Sequence, residues 1–280
     1  MMKKIICTFF SLAMLLGSLE LFGQEEEKEY KKDRFSASFG GFYTGLNSNL
    51  VVGIDQLGLG LSLGLEDALG LESSVLVLRG DLKYSFGKRR NKLLTAGYIG
   101  LLRKASRTLG REIEIDGIVF PLESTIETKF NLEIYKLTYN WGFFQDERMR
   151  LGVGGGLFIM PIGFSISSEM QESDFFQFIA PLPSFGLTTD FYIGPRWTFS
   201  QSLDLFYIQF GSFEGALTDL NLKLEYQALK HFAFGAGINT FKLNVETKDD
   251  LFLDWDFKGT VDLSYTGFLF YTRYLLKYKD

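Results

Sequence analysis

From Leu217 to Ala228 the chain alternates polar and apolar residues. Asp219, Asn221, Lys223, Glu225 and Gln227 take every second place, and Leu220, Leu222, Leu224, Tyr226 and Ala228 fill the places between. Successive side chains of a strand point to opposite faces, so a period of two predicts a strand with one polar and one apolar face. A helix would need apolar residues three and four apart, and this stretch does not offer them. The pattern recurs. In "VLVLRGDLKYSF", Leu76, Leu78, Leu82, Tyr84 and Phe86 oppose Arg79, Asp81, Lys83 and Ser85. In "RLGVGGGLFI", "SFGLTTDFYIG" and "HFAFGAGINT", large apolar residues alternate mainly with glycine or small polar residues.

Two kinds of connection separate these stretches. Short ones lie at 87–91, 145–148, 193–196 and 228–231, and long or polar ones at 105–124, 167–182, 210–216 and 247–256. Short turns on one side and long loops on the other are the habit of outer-membrane barrels, where the short turns are periplasmic. Strands near 34–54, 91–105, 148–167, 197–210 and 231–247 then run outward. Those near 75–87, 124–144, 183–195, 215–229 and 256–276 run back. The expected fold is all-β: a transmembrane antiparallel up-and-down β-barrel of ten strands, with eight and twelve as neighbouring counts. Near Glu133 to Lys136, Pro161, Thr240 and Gly267 the apolar face changes sides. Either a bulge re-aims the side chains there, or the strand leaves the bilayer. Residues 55–72, "DQLGLGLSLGLEDALGLE", fit a strand extension or cap over the barrel mouth, or else an extra hairpin.

The start of the chain fixes the expected compartment. "MMKK" precedes the apolar run "IICTFFSLAMLLGSLELF", and "GQEEEKEYKKDR" follows. That order predicts a signal peptide over 1–23, a charged periplasmic segment over 24–33 and a barrel domain over 34–280. Cys7 falls inside the leader, so the mature chain would carry no thiol chemistry. A net charge of -5 offers no basic field for nucleic acid. The 29 phenylalanines and 13 tyrosines are many for this length. They gather near the turns, where Tyr84, Phe86, Tyr139, Trp141, Tyr192, Trp197, Tyr226, Phe232 and Tyr274 would form an aromatic girdle.

Several segments in order, among them "SLGLEDALGLE", "SRTLGREIEIDGIVFPLEST", "FNLEIYKLTYNWGFF", "RLGVGGGLF", "GPRW" and "YTGFLFYTRYLL", resemble a group of uncharacterised outer-membrane β-barrel proteins of Gram-negative bacteria. The resemblance implies export, insertion and a barrel. It implies no reaction and no catalytic residue.

The polar faces supply the candidate lumen: Arg79, Asp81, Lys83, Lys136, Asp190, Asp204, Asp219, Lys223, Glu225 and Asp262. Both signs occur. A ten-stranded barrel is narrow enough for side chains to fill, so these groups either pair into a polar core or line a passage for a small polar solute. Catalysis has little to work with. His231, the single histidine, falls in the periplasmic turn "ALKH", whereas rim hydrolases place a base at the outer face. Outer acidic pairs such as Glu112 with Glu114 and Asp249 with Asp250 lack the spacing of a calcium loop. No metal, cofactor or catalytic residue is assigned. The expected partners are outer-membrane lipids and the barrel-assembly machinery. Three functions remain: a porin-like channel or solute-binding barrel, a structural or adhesive barrel acting through outer loops, and a lipid-modifying enzyme.

Overall fold

The computed structural model describes residues 34–52, 61–87, 90–110, 112–115, 118–168, 171–211, 213–247 and 259–276. The expected leader and the charged segment 24–33 lie outside these. Ten long strands form the wall: β1 (Phe35–Val52), β3 (Ser74–Phe86), β4 (Lys92–Thr108), β7 (Thr125–Gln145), β8 (Met149–Ser168), β9 (Gln171–Ile193), β10 (Trp197–Phe210), β11 (Phe213–Tyr226), β12 (Phe232–Thr247) and β13 (Gly259–Leu276). Each is antiparallel to its neighbours, and β1 pairs with β13 from Phe35–Leu276 to Val52–Gly259, which closes the sheet. Closure leaves no edge along the seam, the condition for a sheet surrounded by hydrocarbon.

Four short elements decorate the long-connection end. β2 (Leu61–Gly64) pairs with the end of β1, the helix α1 (Leu65–Leu69) follows, and β5 (Ile113–Ile115) with β6 (Ile118–Phe120) makes a small hairpin. The chain leaves α1 through Gly70 at φ 75, where the Gly70 and Leu71 amides donate back to the Glu66 and Leu65 carbonyls. That left-handed exit favours glycine. Leu65, Leu69 and Leu71 are buried in the same cluster as Phe42 and Phe130. The 55–72 stretch is therefore a cap where it is described, and it adds no wall strands. The connection expected as a long loop at 167–182 is mostly strand: β8 runs to Ser168 and β9 resumes at Gln171.

The four switches of the apolar face have one explanation. Pairing of β4 with β7 runs without a shift past Glu133 to Lys136, and that of β12 with β13 runs without a shift past Thr240 and Gly267. The phase of the wall is constant, and the chemistry of its two faces changes. On β7, Tyr135, Leu137, Tyr139, Trp141 and Phe143 are exposed outside. Further along the same face lie Glu127, Lys129, Asn131 and Glu133. The inward face carries Ile126, Phe130, Leu132 and Ile134 at the far end, then Thr138 and Asn140. On β13, Phe268, Phe270 and Tyr274 face out near the turn end, while Val261, Leu263 and Tyr265 are buried further up. The outward apolar run on β7 spans Tyr135 to Phe143, close to the ~9–11 residues that cross a bilayer. The rest of this 21-residue strand projects beyond it. There the wall has water outside and an oily core within. Near Pro161 the ladder of β8 with β7 skips Glu133 and Ile134 and resumes at Leu132–Ile162 in unchanged register.

This division sets unequal costs for a charge on the outer face. Leu137→Arg is expected to destabilise the folded barrel by about 2–4 kcal/mol, and Asn131→Arg by no more than about 1 kcal/mol. Urea titration of each variant in lipid vesicles measures the difference. Equal costs would contradict the boundary between Glu133 and Tyr135.

Candidate functional site

Most inward polar groups occur within the apolar belt, where β3, β7, β10, β11, β12 and β13 turn polar residues toward one another. Above it the buried Arg103 pairs with Glu66 of α1 at 2.5 Å and donates to Ser48 Oγ at 2.7 Å. Arg79 and Asp81 are two apart on β3 and so share a face. The guanidinium binds the carboxylate through Nε–Oδ2 at 3.0 Å and Nη2–Oδ1 at 3.3 Å, a two-point pair. Its Nη1 donates across the interior to Asn221 Oδ1 at 2.7 Å. The closed strand order puts β11 four positions from β3, so this contact spans the lumen.

A second crossing starts from β7. Lys136 Nζ lies 2.5 Å from Asp204 Oδ2 and 3.0 Å from Asp219 Oδ2. It also sits 4.9 Å from the centre of the Phe158 ring, at the foot of the apolar core. Asp219 Oδ1 accepts hydrogen bonds from Asn221 Nδ2 at 3.0 Å and Asn239 Nδ2 at 2.7 Å. Tyr265 Oη donates to Asn239 Oδ1 at 3.0 Å. Lys223 Nζ completes the ring at 3.6 Å from Asp81 Oδ2. Six strands of the closed wall, β3, β7, β10, β11, β12 and β13, are joined through Arg79, Lys136, Asp204, Asp219, Asn239 and Tyr265.

Two smaller groups lie toward the turns. Glu225 pairs with Arg273 and accepts from Tyr271 Oη at 3.2 Å. Asp190 accepts from Ser200 Oγ at 2.7 Å, and Arg150 Nη1 stands 3.9 Å away. The inward glycines give their space to these side chains. A β-carbon at Gly97 would come 2.8 Å from Asp81 Oδ1, and one at Gly235 would collide with the Tyr271 ring. The cavity bounded by Arg79, Asp81, Lys136, Asp219, Phe158 and Phe241 has a volume of about 10 Å3, room for one water at most.

Among the ten residues expected in the lumen, Arg79, Asp81, Asp204, Asp219 and Glu225 are buried. Lys83, Lys136, Asp190 and Lys223 are half-buried. Asp262 is different. It alternates with the buried Val261 and Leu263 and pairs in register with Asn244 and Asn49, so it takes the outer face above the belt. The expectation carried the polar-inward rule past the point where the two faces exchange chemistry. Of the expected girdle, Tyr84, Tyr139, Trp141, Trp197, Phe232 and Tyr274 are exposed. Phe86 and Tyr226 are half-buried and pack on them, with Phe86 and Tyr139 ring centres 6.2 Å apart and Trp197 and Tyr226 4.8 Å apart. Tyr192 follows Asp190 on the inward phase instead, since nearness to a turn does not determine which face a residue takes.

Asn221, Asn239, Tyr265, Tyr271, Arg273 and Arg150 belong to the network without having been singled out. Asn221 shares the polar phase of Asp219 and Lys223, and that phase was the available signal. The two tyrosines had none, because an aromatic on β13 suits lipid and lumen alike. His231 Nδ1 is 2.9 Å from the Leu275 carbonyl oxygen, at the short-turn end. Among the described residues no three acidic, histidine or cysteine side chains gather as a metal site, and no helix is long and apolar enough to cross a membrane.

No family model matches the chain, and no curated protein matches it. Solved structures do. The outer-membrane protease OmpT from Escherichia coli superposes with a TM-score of 0.52 at 10% identity, over 90% of this chain and 99% of that one. The fold is that of an outer-membrane β-barrel. The transport unit of the autotransporter AIDA-I from Escherichia coli matches with a TM-score of 0.42 at 10% identity, over 96% of this chain and 97% of that one. The Pseudomonas putida toluene transporter TodX matches with 0.36 at 6% identity, over 89% and 92%. At such identities the likeness is one of fold.

The network makes Asp219 the costliest single loss in the lumen. Asp219→Ala leaves Lys136 half-neutralised and two buried amides short of an acceptor, an expected cost of about 3–5 kcal/mol. Asp219→Asn keeps one acceptor and is expected to cost less. Urea-unfolding midpoints of both variants in the same vesicles test the order, and equal midpoints would remove Asp219 from its central place.

Proposed function

We propose that this chain is an outer-membrane barrel with a shut lumen, and that it works through the half rising above the bilayer rather than by conduction. The observation that carries this reading is the apolar core above the ion-pair layer. Phe42, Phe130, Phe158, Phe164, Phe241, Leu132, Met160, Leu243 and Leu263 are fully or almost fully buried there, with Leu65 and Leu69 of the cap. A hydrated ion would have to cross this core and then part Lys136 from Asp204 and Asp219. Each step desolvates a charge without a substitute ligand.

The orientation belongs to the same reading. β1 begins opposite the end of β13, at Phe35–Leu276, on the side of the short turns 146–148 and 194–196. Short turns and aromatics at that end favour the periplasm, and in this reading the ends of the barrel wall at Phe35 and Leu276 face it, with the cap, the β5–β6 hairpin and the β8–β9 hairpin outside. Outer-membrane lipids and the assembly machinery are the partners this position entails. The outward surface of the projecting half is polar, with Lys104 2.6 Å and Lys129 3.7 Å from the shared Glu127 carboxylate. Such a surface suits contact with other molecules outside the cell.

From the polar faces alone the charged groups either pair into a core or line a passage for a small solute, and conductance separates the two. Full-length protein, folded as judged by a heat-sensitive shift on gels, is expected to give no discrete openings in a planar bilayer under applied voltage. Discrete, reproducible openings would overturn the shut-lumen reading and restore the passage.

A further inference from the structure

Among the described residues the ladder stops short of the strand ends at two seams, β3–β4 beyond Leu78–Gly100 and β9–β10 beyond Phe185–Leu205, and the second is chemically distinct. β9 and β10 pair from Ile193–Trp197 to Phe185–Leu205. Beyond that, among the described residues, the β9–β10 ladder takes in neither Pro181 to Ser184 nor Phe206 to Gln209. β9 continues up against β8 as far as Gln171–Ser168, while β10 turns into β11 through Gly211 at φ 59. A notch results, with β9 on one side and the β10–β11 tip below.

Two prolines account for it. In an antiparallel sheet alternate residues exchange hydrogen bonds with one neighbour, and the residues between bond to the other. Pro181 and Pro183 lie opposite Ile159 and Leu157 in an unbroken β8–β9 register. A proline has no amide to donate, so both occupy places whose donors would point away from β8 and toward β10. Extending the β9–β10 register would set Pro183 against Tyr207 and Pro181 against Gln209. Those are the positions where pairing is absent. Pro161 on β8 is isolated, and the β7–β8 ladder resumes beyond it at Leu132–Ile162.

The notch opens at the top of the apolar belt. The outward residues of β10 and β11 run Trp197, Phe199, Gln201, Leu203, Leu205 and Tyr207 with Leu224, Leu222, Leu220, Thr218 and Ala216, mostly apolar, and then become Gln209 and Glu214. Ile179, Phe185 and Tyr207 are exposed on the outer face. More telling is Ile208. It sits on the inward phase of Asp204 and Phe206, yet it is 42% exposed, whereas the inward Leu217 and Phe241 are buried. Phe206 and Phe213 pack against the apolar core behind it. Apolar surface therefore continues from the lipid-facing belt, through the notch, to the oily interior of the projecting half.

We propose that this notch binds an acyl chain of an outer-leaflet lipid, lying over Ile208 between β9 and the β10–β11 tip. A protein strand is the wrong occupant, since Pro181 and Pro183 remove the donors that edge pairing needs. A polar solute is the wrong occupant because the lining is Ile179, Phe185, Tyr207 and Ile208. Hydrocarbon adjoins the notch already, and it asks for no hydrogen bonds. The assignment rests on the bilayer reading above, which supplies the leaflet.

The test uses full-length protein in dioleoylphosphatidylcholine vesicles containing a phosphatidylcholine with a photoactivatable diazirine near the end of one acyl chain. After irradiation, mass spectrometry is expected to find adducts on the inward-phase residues Phe206 and Ile208, and none on the equally inward Phe241 and Leu243. The double variant P181V/P183V restores both donors. It is expected to lower the Ile208 adduct roughly tenfold, the loss of one large aliphatic contact, while leaving labelling at Leu220 and Leu222 unchanged. Labelled belt residues with no adduct at Phe206 or Ile208 would overturn the notch alone. An unlabelled belt would overturn the bilayer reading and the notch with it. Adducts at Ile208 only from a free diazirine fatty acid added from the water would overturn the membrane as their source. If the variant does not fold, the wild-type contrast between Ile208 and Phe241 decides the matter.

Discussion

The surroundings of the wall change once along each strand, from hydrocarbon to water, and both faces of the strand change with them. In the lower part lipid dissolves the outward side chains, so the inward ones are free to be polar provided they satisfy one another. In the upper part water wets the outward face, and burial of the inward face must supply the stability, as in any soluble sheet. β7 shows both regimes in 21 residues, with Lys136 and Asn140 inside at one level and Phe130 and Leu132 inside at the other. The backbone passes between them without a bulge at that point, because the hydrogen-bonded wall is indifferent to which face is oily. Continuity of register and exchange of chemistry are thus separate matters, and the first is what closes the barrel.

The polar layer has a different task from the core above it. A charge in the belt has no water to fall back on, and removing two ions from water is repaid only when their geometry is good and the spare lone pairs are used. Asp219 meets that condition: one oxygen holds Lys136, and the other accepts from Asn221 and Asn239. Arg79 meets it through Asp81 and Asn221. Because the partners sit on strands four places apart, the pairs tie opposite walls and would be lost in a shifted register. A slip by one residue on β11 would turn Asp219 into lipid and Leu220 into the lumen. The layer therefore fixes which of the possible strand alignments is the folded one, and it fills the bore in doing so.

This explains what could be read from residues alone. Period-two alternation on β3 and β11 is unambiguous because polar and apolar side chains there are unmixed, whereas the strand count rests on the alternation of short and long connections. The switches near Glu133 and Thr240 were visible but had two meanings, since a bulge and a change of surroundings leave the same trace in one strand. Only the register with the neighbouring strand separates them. Asp262 went to the wrong face for that reason. The reach of Arg79 to Asn221 was hidden because it depends on which strands stand opposite one another, and alternation along a single strand carries nothing about that. The 167–182 stretch reads as a loop for its serines, its acids and Pro181. Strand pairing with β8 overrides those preferences wherever the neighbour supplies the hydrogen bonds.

Proline in a sheet is usually treated as damage to be tolerated, but its effect depends on the side to which the missing amide would point. Pro181 and Pro183 share a phase, so both withdraw donors from the same neighbour, and they do so at successive ladder positions where β10 has no further strand to lean on. The same residues leave the β8 side intact. β9 therefore parts from β10 and not from β8, at the level where the outer face passes from Leu205 and Tyr207 to Gln209. A closed barrel has no edge, and this one recovers a short edge that cannot pair. An edge of that kind resists aggregation, since it offers incoming strands too few donors, and it exposes apolar side chains to whatever lies beside it. At the top of the belt that neighbour is lipid, so the chemistry that keeps other strands out is also the chemistry that would admit a hydrocarbon chain.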